Sequence, residues 1–85
     1  MRRIVETDEK SGFEAMLGKK VVLVCGIYIY AGVLSGVNDD HLELIEPKLV
    51  YETGEWSNDE WKDAQALPSP WRVMRQGIES WGPGK

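Results

Sequence analysis

The chain has one histidine, and its neighbours are acids: Asp39-Asp40-His41-Leu42-Glu43. Carboxylate and imidazole donors so close together could hold a divalent cation. Short acidic turns are common, however, and the spacing is not that of a metal site. Cys25 is the one thiol. It stands in an apolar run with no basic neighbour to draw out the thiolate, so it is not expected to act as a nucleophile. No glycine loop of phosphate-cradling type is present, and a chain this short has no obvious room for a deep pocket. No catalytic residue, cofactor or metal is therefore expected. Trp56, Trp61, Trp71 and Trp81 all fall in the last third. Indoles can stack on bases, but in a small domain they are expected first to pack a core or a subunit interface. These features point to a protein that works by binding and assembly.

Charge sharpens that reading. The net charge of −4 conceals two regions. Asp39–Asp63 carries nine acids against Lys48 and Lys62, a net of −7, and the remainder carries five acids and eight bases, a net of +3. Affinity for a nucleic-acid backbone comes from lysine and arginine on phosphate, so the acidic middle argues against a broad footprint. Arg2, Arg3, Lys19, Lys20, Arg72 and Arg75 remain available for a local basic patch. A single cysteine excludes a disulfide within the chain and suggests a reducing, cytoplasmic setting. Arg2 and Arg3 are followed by Glu6, Asp8, Glu9 and Lys10, where a secretory leader would be apolar. The 85 residues form one domain. A domain this size buries only about 60% of its unfolded surface, so oligomerisation is a natural source of further stability.

The elements that must position these residues follow from local pattern. Residues 1–10 read as a charged lead-in. Ser11 and Glu14 make a capping box for a short helix over Gly12–Leu17, stopped by Gly18. Phe13, Met16 and Leu17 would share its packed face. Val21–Val37 carries no charge and just reaches the length of a membrane span, about 17–25 residues. Its glycines and β-branched residues, and the break at Cys25-Gly26, instead divide it into strands over Lys19–Cys25 and Ile27–Val37. No membrane association is expected. Asn38–Asp40 forms a turn, and His41–Tyr51 a third strand. Near-continuous apolarity in the first two strands implies cover on both faces. Residues 52–70 read as an insertion. There, Trp56-Ser57-x-x-Glu60-Trp61 supplies a second capping box with a Trp56–Trp61 staple, for a helix over Asn58–Leu67 ended by Pro68. Trp71–Gln76 and Ile78–Trp81 complete five antiparallel strands, and residues 82–85 are a tail. The fold expected is mainly β, a small closed barrel.

The order and spacing of these pieces resemble the Sm-like family, in a divergent form of prokaryotic or viral type. Gly12–Leu17 followed by Gly18-Lys19-Lys20-Val21 looks like its leading helix and first strand. Tyr30–Val37 looks like the second strand, with Gly32 as the bending glycine. Asp39-Asp40-His41-Leu42-Glu43-Leu44 resembles the base-binding loop, normally Asp-x-aromatic-Met-Asn-Leu. Met74-Arg75-Gln76-Gly77-Ile78 resembles the second motif, normally apolar-Arg-Gly.

The resemblance implies a strongly bent five-stranded SH3-like barrel that closes into a homo-oligomeric ring. The Trp71–Gln76 strand would meet a neighbour's Ile78–Trp81 strand, with Trp71, Val73, Met74, Ile78 and Trp81 at the seam. It also implies single-stranded RNA near the pore. Asp39 would order the loop, His41 would stack on a base, and Arg75 would support the pocket from below. Glu43 stands where an asparagine normally reads the base edge. A carboxylate accepts only, whereas an amide also donates. An ion pair between Glu43 and Arg75 is a further expectation of this alignment. Two functions follow: an RNA-binding ring, or a ring or scaffold that binds protein, or only itself.

Overall fold

Valine, isoleucine and tyrosine make extended backbone between Lys20 and Val37, and one glycine divides it. In the computed structural model, which describes residues 12–85, this stretch is β1 (Lys20–Cys25) and β2 (Tyr28–Val37). The lead-in of residues 1–10 and the capping Ser11 lie outside the described residues. Cys25 pairs with Tyr28 across the two-residue turn Gly26-Ile27. Gly26 has φ +52°, the positive value that the first turn position of a tight hairpin requires.

The second hairpin joins β2 to β3 (His41–Glu52) through Asn38–Asp40. β3 is the longest strand, and it bends. Glu46 has φ 51°, unusual for a residue with a Cβ, and Pro47 follows with no N–H to donate. Facing the bend, the β2–β3 register shifts between Ala31 and Val33. A Cβ on Gly32 would lie 3.0 Å from the Ile45 carbonyl oxygen and 3.3 Å from Pro47 Cα. Glycine is therefore needed for the two strands to close at the bend. The bend also changes β3's outer partner. Residues His41–Leu44 pair with β5 (Trp71–Met74), and Lys48–Glu52 with β4 (Asp63–Ala66).

Several expectations are corrected. The residues expected as a helix, Asn58–Leu67, contain instead the strand β4. The outer edge of β3 beyond the bend needs backbone partners, and pairing there outweighs the local capping signal. The N-terminal helix is a single 3₁₀ turn, Gly12–Met16, and there is no α-helix among the described residues. Five residues are too few for an α-helix to be stable by itself. Phe13 and Met16 pack on the core, while Leu17 is exposed. Finally, the sheet is not closed. It runs β4-β3-β2-β1-β6, with β6 at Ser80–Pro83 and β5 on the first half of β3. A 3₁₀ turn over Arg75–Gly77 carries the chain from β5 at the β3 side to β6 at the β1 side. β5 and β6 have four residues each and do not pair with one another. The fold is mainly β, an antiparallel sheet of six strands where five in a closed barrel were expected.

Residues 82–85, expected as a tail, are built in. Gly82 and Pro83 belong to β6, and the Gly84 N–H donates to the Lys20 carbonyl at 2.9 Å.

The core is Val21, Leu23, Leu34, Leu42, Leu44 and Val73, all on one face. Val22, Ala31 and Val50 are buried on the other, through the pairs Val22–Ala31 and Ile29–Val50. Consecutive burial of Val21, Val22 and Leu23 accounts for the unbroken apolar run. No helix among the described residues is long and apolar enough to cross a membrane.

Candidate nucleic-acid interface

The Asn38–Asp40 turn is held by the residue that follows β5. The Asn38 N–H donates to the His41 carbonyl at 2.9 Å, which closes the turn. Arg75 then ties both of its ends. Its backbone N–H donates to the Asp40 carbonyl at 3.0 Å, and its guanidinium Nη1 to the Asn38 carbonyl at 2.9 Å. The β3–β5 register sets Met74 opposite His41, so the next residue, Arg75, falls under the turn.

His41 is fixed at both ring nitrogens. Nδ1 lies 2.6 Å from Asp40 Oδ1, and Nε2 lies 3.1 Å from Asn38 Nδ2. Nδ1–H can donate to the carboxylate, and Nε2 faces the amide. The hydrogen bond from His41 holds the Asp40 carboxyl below its ordinary value of 3.8. The ring's edge is thus committed, and what it has left to offer a ligand is its face.

Behind the loop, the Arg75 guanidinium lies 5.0 Å from the centre of the Phe13 ring. Phe13 in turn stacks on Trp81 with centroids 4.5 Å apart. One run of contacts therefore joins the exposed Trp81 on β6 to the histidine turn.

Of the residues singled out from the sequence, His41 and Arg75 come together around Asn38, a residue whose sequence signal is only that of a turn former. Asp39 is exposed and makes no side-chain hydrogen bond among the described residues; its neighbour Asp40 holds the ring. Glu43 stands apart. It pairs in register with Gly36 and Arg72, and its carboxylate lies over Gly36. The Glu43–Arg75 ion pair is not formed, because the guanidinium is directed to the Asn38 carbonyl and the Phe13 ring. Among the described residues, no three histidine, cysteine or acidic side chains are placed to share a metal ion.

The seam residues divide by exposure. Met74 (56%) and Trp81 (38%) are exposed. Trp71 and Ile78 are half-buried against the core, and Val73 belongs to it. At Val73, β5 offers a neighbour its backbone and not its side chain. Cys25 is half-buried, and burial followed by the charge of Glu79 pushes its thiol up. Trp56 and Trp61 do meet, edge to face at 5.5 Å, but around a loop and not across a helical turn.

Comparison with known protein families, with characterised proteins and with solved structures returns no match for this chain.

Proposed function

We propose that the chain is a ring-forming subunit of Sm-like kind, and that its ring binds single-stranded RNA at the β2–β3 turn near the pore. The observation that carries this reading is the tie between Arg75 and the Asn38–His41 turn. It brings His41 and Arg75, one residue from each of the two Sm-like motifs, to one turn, where the imidazole face is the part of the ring not engaged in hydrogen bonds. The open sheet supports assembly. Among the described residues β5 pairs only with β3 and β6 only with β1, so each has one free edge. A groove lined by Cys25, Tyr30, Trp71, Met74 and Gly77 runs beside β5. The occupant we assign to it is β6 of a second copy, led by the exposed Trp81. Head-to-tail pairing of this kind closes when the rotation between copies divides a full turn. A cytoplasmic setting, which rests on the single cysteine, belongs to the same reading.

Glu43 favours a second reading, in which the ring is a scaffold for protein partners and RNA binding has been lost. Its carboxylate offers no donor to a base edge, and it stands in the acidic middle of the chain. Fluorescence anisotropy with oligo-U and oligo-A at low salt decides between the two. Saturable binding that weakens steeply with salt supports the RNA site. No binding at roughly tens of micromolar protein transfers the assignment to the scaffold. Light scattering tests the ring itself, and a clean monomer at micromolar concentration would overturn both.

A further inference from the structure

Lys85 makes the most complete polar contact among the described residues. Its ammonium has three donors, and three carbonyl oxygens receive them: Thr53 at 2.6 Å, Glu55 at 2.8 Å and Glu60 at 3.2 Å. The same nitrogen lies 4.8 Å from the centre of the Trp61 ring and 5.4 Å from that of Trp56. Both distances are within cation–π range. The loop is shaped around the site: it turns at Asn58, whose N–H donates to the Glu55 carbonyl at 3.0 Å, and the two indoles brace one another. Glu55, Asp59 and Glu60 add negative charge along the same stretch, while Glu52 is paired with Lys62 at 3.4 Å.

We propose that the Thr53–Trp61 loop is a binding site for a primary alkylammonium group, the end of a lysine side chain, which Lys85 occupies in the free chain. The donor count sets the specificity. Each N-methyl group removes a donor and so one of these hydrogen bonds, and a quaternary ammonium keeps the attraction to the indoles but loses all three. This preference is the reverse of that of an aromatic cage for methylated amines. Tethering gives Lys85 a high effective concentration, so a free amine enters only when Lys85 is withdrawn.

The test uses the Lys85→Met variant, titrated with n-butylammonium chloride and, separately, with tetramethylammonium chloride at matched ionic strength. The readout is the indole N–H signals of all four tryptophans. The expected result is a saturable shift confined to Trp56 and Trp61. Butylammonium should bind about tenfold or more tightly than tetramethylammonium, the ratio that one lost charge-assisted hydrogen bond already supplies. The wild-type chain should not respond over the same range. Equal binding of the two cations, no saturable shift in the variant, or a response from wild type would each overturn the proposal. Should the variant's loop fail to order, wild-type protein with nitrogen-15 lysine decides the matter. A Lys85 ammonium signal shifted upfield by the indoles and slow to exchange supports the site, and a signal like those of exposed lysines refutes it.

Discussion

Arg75 reaches two partners from one rigid guanidinium fork, which donates to a turn carbonyl while its central carbon lies over an aromatic ring, and a lysine's single nitrogen does not reproduce that spacing. Arg75→Lys should therefore lower stability by about 1 kcal/mol in urea unfolding and weaken oligo-U binding, even though the charge is kept. Asp40 gives a pH signature. Its carboxyl is held below 3.8 by the His41 hydrogen bond. The stabilisation is thus fully present above the ordinary carboxylate range and is lost as pH falls through the lowered value. Asp40→Asn should be less stable than wild type near neutral pH, with the two curves converging in strong acid. Parallel curves throughout would mean that the bond does not form in solution. His41 and Arg75 are legible in the sequence because each sits inside a short motif. Asp40 is not, since no motif distinguishes it from the adjacent Asp39; only the reach of a side chain to its immediate neighbour does.

Legibility at the scale of elements follows the range of the interactions. β1, β2 and β3 can be read to within a residue or two, because an uncharged run, a glycine and an Asn-Asp turn are local signals. β4 cannot. Its stretch of chain carries a capping box and a tryptophan staple, and what makes it a strand is an open edge of β3 earlier in the chain. Lys85 is invisible for the same reason, since its carbonyl partners are supplied by a loop remote in sequence. Gly32 is legible as a bending residue, and the structure supplies a steric reason. Gly32→Val places a branched side chain where a Cβ alone already meets the Ile45 carbonyl at 3.0 Å. It should cost about 2 kcal/mol or more through forced separation of β2 and β3, measured by chemical unfolding.

At the scale of the molecule, a thin core and the free edges of β4, β5 and β6 belong together. The core cluster has six buried side chains, and a sheet with open edges is a template for another chain. Pairing β5 of one copy with β6 of the next would satisfy two of these three edges and cover Met74 and Trp81. Met74→Asp should reduce the native mass to that of a monomer while leaving the circular dichroism spectrum unchanged, because Met74 is 56% exposed in the single chain. If the variant keeps the parent mass, β5 is not at the seam.

The bend at Glu46-Pro47 has a consequence for how the molecule opens. Before it, β3 is sealed by Leu42 and Leu44 within the main core; beyond Pro47, Val50 is the one buried hydrophobic side chain, and the partner strand reads Asp-Ala-Gln-Ala. The two halves therefore belong to different cooperative units. Amide hydrogens in the β3–β4 ladder, such as those of Leu49 and Gln65, should exchange with deuterium well before those of Leu23, Leu34 and Leu44. Lys85, which follows the Gly84 bonded to β1, is the tether that keeps the less stable unit from peeling away. Lys85→Met should accordingly accelerate exchange in β4 while leaving the β1–β2 amides at their original rates.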